Sequence, residues 1–264
     1  MMKLAIVSYK GGVGKTTVAS NLAAHLATAG LDVHAIDMDD QNALRLHFGV
    51  DPHKTSGISH CASTKEWRDE GISDDSGVSV YPHGMMEFPV RVNFKESLRK
   101  QPSLLKGWLD KNFNQDALVV IDTPPGSDVY STQAIVAADY LLVILNPDGA
   151  SFATIGTMEG LIQELNPNLL VAKKVLFLVV NYNETRELDR GVLSVMRDAY
   201  GDKVAPIIIH YDASVREALA HQKLLQDYDS DSQAHAEFSE LAGWLISSGF
   251  LSLNAGQEWG EIRT

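Results

Sequence analysis

A single cysteine, Cys61, stands among 264 residues. It excludes an intrachain disulfide and any cysteine-built zinc or iron–sulfur centre within one chain, and it fits a reducing compartment. An excess of positive charge is also missing. Lysine and arginine number 22 against 34 aspartates and glutamates, for a formal net charge of −12, so a basic patch for nucleic acid would have to be gathered by folding from separate segments. Long apolar runs are absent too: Tyr140–Leu145 is among the longest, far short of the roughly 20 residues that span a bilayer. The N-terminus turns to glycine and lysine too early for a signal peptide, which gives the expectation of a cytoplasmic protein. The nine histidines show no metal-ligand spacing, and His53, His60 and His83 are expected to be solvated. Neither an internal repeat nor a low-complexity tract is found.

What is present is a foldable α/β pattern. With 45% hydrophobic and 21% charged residues, a packed core is expected. Short apolar runs ending in polar residues predict strands at Lys3–Ser8, Val33–Ile36, Ala117–Ile121, Leu141–Leu145, Val175–Val180 and Val204–Ile209, with Val78–Tyr81 as an extra candidate. Helical patterns lie between them, at Thr16–Ala29, Lys95–Asn112, Tyr130–Ala138, Ala150–Leu165, Leu188–Tyr200, Ala213–Ala220 and Asp231–Ser248. Nearly all-apolar strands alternating with helices predict a doubly wound, mostly parallel sheet with helices on both faces. The expectation is one domain over 1–250, carrying a polar insertion of loops and short helices at about 50–102, and a frayed tail over 251–264.

Between the first strand and the first helix lies Ser8-Tyr9-Lys10-Gly11-Gly12-Val13-Gly14-Lys15-Thr16-Thr17, where a phosphate cradle has to be. Glycines let the backbone turn its N–H groups toward a polyphosphate, and the helix N-terminus adds partial positive charge. Lys15 reaches the terminal phosphates, and the Thr16 hydroxyl can hold Mg²⁺. Ligands of open parallel sheets sit at the carboxyl ends of the strands. The acidic residues there are therefore candidates: Asp37 and Asp39 in Ile36-Asp37-Met38-Asp39-Asp40-Gln41, and Asp122 in Ile121-Asp122-Thr123-Pro124-Pro125-Gly126. Asp122 would hold the water shell of Mg²⁺, with Gly126 letting its loop approach a γ-phosphate. Asn181, after the strand at Val175–Val180, has an amide that can pair with an adenine edge.

Lys10 immediately before the paired glycines, with Tyr9 where the plain loop has glycine, resembles the deviant Walker A ATPases related to MinD and ParA. The resemblance implies an ATPase, converting ATP and water to ADP and phosphate slowly and in step with dimerisation. Lys10 would reach across a two-fold axis to the phosphates bound by a second copy, in an ATP-sandwich homodimer. It further implies that Asp39 orients the attacking water, that Asp37 supports the metal side, and that Asp212 in Ile209-His210-Tyr211-Asp212 accepts from the adenine amino group. Within that family, an iron-protein relative of nitrogenase needs two cysteines per subunit and is excluded. A membrane-targeting C-terminal helix of the MinD kind should be basic, yet Trp244–Thr264 carries Glu258 and Glu261 against Arg263. Basic and acidic residues nearly balance between Lys173 and Lys223, so DNA is not the first partner expected, and a DNA-partitioning or cargo-positioning ATPase is the alternative.

Three further stretches resemble the BcsQ branch, ATPases encoded with bacterial cellulose synthase. They are Asn42–Asp51, Glu66–Gly71, and His210-Tyr211-Asp212 with Glu217–Ala220 and Gln226–Tyr228. This resemblance implies a small BcsR-like partner, a BcsE-type regulator linked to cyclic-di-GMP control of cellulose synthase, and recruitment to the inner membrane or cell pole through such partners.

Overall fold

The computed structural model describes residues 1–60 and 71–252. Eight strands form one sheet: β1 (Met2–Val7), β2 (Val33–Asp37), β3 (Ile72–Ser73), β4 (Ser79–Tyr81), β5 (Leu118–Asp122), β6 (Tyr140–Leu145), β7 (Val175–Tyr182) and β8 (Ile209–His210). Their order is β3-β4-β2-β5-β1-β6-β7-β8, and every neighbouring pair is parallel except β3 with β4. Strand alternation explains why both faces must be covered. Leu4 and Ile6 of β1, Leu118 and Val120 of β5, and Leu142 and Ile144 of β6 enter one core, packed by α1 (Lys15–Thr28) and α12 (Gln233–Ser247). Their neighbours Ala5, Val7, Val119, Ile121, Leu141 and Val143 enter the other. Such period-two burial on both sides is what a central parallel strand requires.

The remaining helices are α2 (Leu44–His47), α3 (Phe88–Lys100), α4 (Leu104–Asn112), α5 (Val129–Ala137), α6 (Gly149–Ala153), α7 (Ile155–Leu165), α8 (Pro167–Val171), α9 (Glu187–Tyr200), α10 (Ala213–Ala220) and α11 (Leu225–Tyr228). Several differ from the sequence reading. The helix predicted over Lys95–Asn112 is two helices, because Pro102 disfavours helical geometry at the residue before it, and Gln101 sits at φ −130, ψ 83. The first of them begins inside the polar insertion, at Phe88, and buries Phe94 and Leu98. The pattern Ala150–Leu165 likewise divides at Thr154. Of Val204–Ile209, Val204 makes one isolated bridge to Phe177 and only Ile209–His210 forms a strand. Pro206 between them has no N–H to give a ladder. The C-terminal helix is as expected, with Phe238, Leu241, Ala242 and Leu245 buried.

His53 and His60 are exposed, but His83 is buried: its ring packs edge-on against Tyr130 and Phe94. Leu251, the start of the expected tail, is buried as well, and Ser252 N donates to Tyr140 Oη. The rest of that tail, Cys61, Trp67 and most of the Glu66–Gly71 stretch lie outside the described residues. Among the described residues no helix is long and apolar enough to cross a membrane.

Candidate functional site

The sheet places β1 between β5 and β6, the point where connections leave in opposite directions, so the loop after β1 opens into the crevice at the strand carboxyl ends. Residues 8–14 turn there through Gly12 (φ 70) and Gly14 (φ 103), conformations that side chains resist. Gly14 is the N-cap of α1, and no side chain caps that end. The first N–H groups of a 14-residue helix therefore face the crevice with the helix's partial positive charge. Lys15 is buried just inside it, and Thr16 and Thr17 follow half-buried. The loop is braced from β5: Gly126 N donates to Ser8 O at 2.9 Å.

Asp37 and Asp122 are register partners at the ends of β2 and β5, and both are fully buried. Asp37 Oδ1 accepts from Asp39 N at 2.9 Å and Oδ2 from Leu44 N at 3.0 Å, so Asp37 shapes the loop that carries Asp39. Asp122 Oδ1 accepts from Thr123 N at 3.0 Å, while Oδ2 has no hydrogen-bond partner among the described residues. Burial, with repulsion from Asp122, holds Asp37 well above the usual carboxylate range. Burial likewise pushes Asp122 up to about 7, although the Thr16 hydroxyl and Lys15 offset part of it. Burial also lowers Lys15, against the attraction of Asp122 and Asp39.

Two adjacent buried carboxylates with an unpartnered oxygen are short of positive charge. A cation at Asp122 Oδ2, beside the Thr16 hydroxyl, meets that demand. Among the described residues no three His, Cys, Asp or Glu side chains converge as a metal cage. The donor set suits a magnesium ion that keeps water and takes phosphate oxygens.

The structure brings Asn181 to the same loop: its backbone is left-handed (φ 58), and Nδ2 donates to Asn146 Oδ1 at 3.1 Å and reaches Val13 O at 3.4 Å. Asp212 stands farther along, at the end of β8. Its oxygens accept from Ser214 N and Ala234 N, so it caps α10 and ties it to α12. The Asn42–Asp51 stretch proves to be a clasp, in which Arg45 donates to Asn42 O, Asp51 O and Lys54 O.

Sequence reasoning gave no role to Asp148, Asp40, Lys95, Arg91 or Asp128. Lys10 Nζ lies 2.8 Å from Asp148 Oδ2. Asp148 is the N-cap of α6, and the Asn146-Pro147-Asp148 run after β6 was signal enough, since it obeys the same strand-end rule as Asp37 and Asp122. Burial alone would raise Asp148, but the hydrogen bonds from Lys10 and Ser151 lower it. Asp40 pairs with Lys95 at 3.2 Å and with Arg91 at 3.9 Å. Lys95 also pairs with Asp128 at 3.4 Å.

Comparison with known proteins gives the family. Residues 1–246 match the family described as "Cellulose biosynthesis protein BcsQ". The cellulose biosynthesis protein BcsQ of Salmonella typhimurium is 26% identical over 250 residues, covering 93% of this chain and 94% of that one. The chromosome partitioning protein ParA of Caulobacter vibrioides is 30% identical over 254 residues, covering 92% and 93%. Among solved structures, the septum site-determining protein MinD of Pyrococcus horikoshii, complexed with Mg-ADP, superposes with a TM-score of 0.74 at 21% identity, covering 96% of this chain and 100% of that one. With its deviant phosphate loop, its parallel sheet and these matches over nearly the whole length, the chain belongs to the MinD/ParA ATPases, in the family of the cellulose biosynthesis protein BcsQ.

Proposed function

We propose that this protein is an ATP-dependent dimerising switch acting on the bacterial cellulose synthesis and secretion machinery. The observation that carries the ATPase part is the buried Asp37–Asp122 pair, with Asp122 Oδ2 unpartnered beside Lys15 and Thr16. In this reading the backbone of Gly11, Gly12, Val13 and Gly14, with Thr17, wraps the phosphates, and Lys15 binds their terminal oxygens. Thr16 and Asp122, with Asp37 behind them, hold magnesium, which supplies charge neutralisation on the β- and γ-phosphates. Asp39 orients the attacking water, and Asn181 and Asp212 attend the adenine. Lys10 leaves Asp148 for the phosphates bound by a second copy, closing the homodimer, and hydrolysis reopens it.

The cellulose part is supported by the BcsQ family match over residues 1–246, which favours a small BcsR-like partner and a BcsE-type regulator. The test is capture from host lysate on the Asp39→Ala protein loaded with ATP, with an ADP-loaded control. Retention of cellulose synthase subunits or their cyclic-di-GMP-binding accessory with ATP alone is the expected result. Retention of chromosomal DNA with a centromere-binding protein would favour a second reading, a partitioning ATPase, which the 30% identity to ParA supports. In that case a shift of nonspecific DNA appears only with ATP and falls steeply with salt.

A further inference from the structure

Helix α3 begins inside the polar insertion and runs into the helix expected from Lys95, and it carries a cation to the loops that follow β2 and β5. Lys95 Nζ lies 3.2 Å from Asp40 Oδ2 and 3.4 Å from Asp128 Oδ2. Asp40 directly follows Asp39 in the loop after β2, and that loop is already narrowly held. Asp37 fixes both its ends, Asp39 Oδ1 accepts from Gln41 N at 3.0 Å, and Met38 N donates to Asp122 O at 2.9 Å. Asp128 stands at the end of the loop after β5, where Oδ1 accepts from Tyr130 N and caps α5. The two loops that flank the site of a γ-phosphate thus end on one ammonium.

The ammonium is itself seated. It lies 4.8 Å above the centre of the Tyr130 ring, and Tyr130 packs against His83 and Phe94. The side chains of Lys95, Asp40 and Asp128 are 23%, 21% and 33% exposed, shielded enough for a charge contact to constrain geometry. Without Lys95, two carboxylates that now share one cation face each other. Arg91, at 3.9 Å from Asp40, is a weak substitute, and it makes no contact to Asp128 that rivals that of Lys95.

We infer that Lys95 is a positioning residue for ATP hydrolysis: by joining Asp40 to Asp128 it sets the loop that presents Asp39 and makes α3 move with the nucleotide state. This rests on the ATPase reading above, with Asp39 as the residue that orients water. Positioning requires a defined geometry at the reacting atoms, so loss of the strut acts on turnover rather than on affinity.

Hydrogen exchange with and without Mg-AMPPNP, read on peptides covering 8–17 and 88–100, is the test, together with steady-state hydrolysis. In the wild type both peptides slow on nucleotide binding by about fivefold or more. In Lys95→Met the phosphate-loop peptide keeps its protection, the 88–100 peptide loses its nucleotide response, and kcat falls about tenfold while KM stays within about twofold. Lys95→Arg, which keeps the charge, restores turnover to within about threefold of wild type. Asp40→Asn added to Lys95→Met costs little more, since both act through one contact. Lys95→Met with wild-type turnover, or with KM rising in step with the fall in kcat, overturns the inference. So does a wild type whose 88–100 peptide ignores nucleotide while 8–17 responds, and that result leaves the ATPase reading standing. If neither peptide responds in the wild type, the ATPase reading falls first and the inference with it. Failure of Lys95→Arg to restore turnover, in a protein that melts like the wild type, also overturns it.

Discussion

Replacing Asp122 with asparagine should stabilise the magnesium-free protein while removing its capacity to hold a magnesium nucleotide. In the folded chain burial lifts Asp122 from 3.8 to about 7. Above pH 7 that shift corresponds to a folding penalty of about 4 kcal/mol, because the unfolded chain ionises the same carboxyl freely. Asparagine carries no charge and its carbonyl still accepts from Thr123 N. Its amide nitrogen, however, takes the buried place of the unpartnered Oδ2, which forfeits about 1–2 kcal/mol. The net gain at pH 8 is about 2 kcal/mol, which raises Tm by about 4–8 °C for a chain of this size.

The pH dependence makes the argument refutable. A raised carboxyl binds a proton in the folded state that the unfolded state lacks, so wild-type stability from this group grows as pH falls from 8 to 6. The advantage of Asp122→Asn therefore shrinks by about 1 kcal/mol across that window. His25 and His47, held down to about 4 by burial, act the other way. Their unfolded forms take up protons first, so the stability they contribute above pH 6.5 is lost as pH falls toward 4. They are common to both proteins and cancel in the difference. Urea melts in EDTA at pH 8 and pH 6, on both proteins, provide that difference. Saturating Mg-AMPPNP at about 100 times its Kd then adds about 2.7 kcal/mol to the wild type and nothing to the variant. A variant less stable than wild type at pH 8 without magnesium, or an advantage that ignores pH, refutes the electrostatic account of the site.

Lys15→Ala should abolish binding of a fluorescent ATP analogue by equilibrium titration while the fold, read by circular dichroism, is kept. Asp148→Asn keeps an N-cap for α6 but releases Lys10, so ATP-dependent dimerisation in light scattering should occur at up to about fivefold lower protein concentration, the scale of an exposed ion pair. Lys10→Ala should instead lose the dimer at every concentration tested. Gln133 is buried, accepts from Leu105 N at 2.9 Å and donates to Leu98 O and Gln101 O at 2.7 Å, holding the break between α3 and α4. Gln133→Ala should cost about 2–4 kcal/mol in urea unfolding and speed hydrogen exchange across 98–105.

The phosphate loop and the strand-end aspartates were legible because each depends on a local rule. An apolar run must end somewhere, and Asp37 and Asp122 stand where β2 and β5 end in a crevice. His83 was not legible: a histidine in a polar segment looks solvated until Phe94 of α3 and Tyr130 of α5 close over it. The break at Pro102 was in principle readable and was passed over because the apolar spacing runs through it. Lys95 had no local signal at all. Its partner Asp128 lies 33 residues away, and on α3 a lysine beside a glutamate reads as a solvated face.

The two lysines of the phosphate loop have the same charge and different burial, and in the proposed dimer that difference separates their tasks. Lys15 is buried, and burial destabilises its charged form, so an anion placed beside it removes a standing electrostatic cost without moving the side chain. Lys10 is 38% exposed and its pair with Asp148 is 34% exposed on the acidic side, so the contact is worth at most about 1 kcal/mol. A polyphosphate carries several negative charges and outbids one carboxylate by more than that. Lys10 is therefore held in a defined place at little energetic cost and can be transferred to another phosphate. A loop with two buried lysines would bind nucleotide more firmly within one chain, but it would leave no cation free to join a second copy.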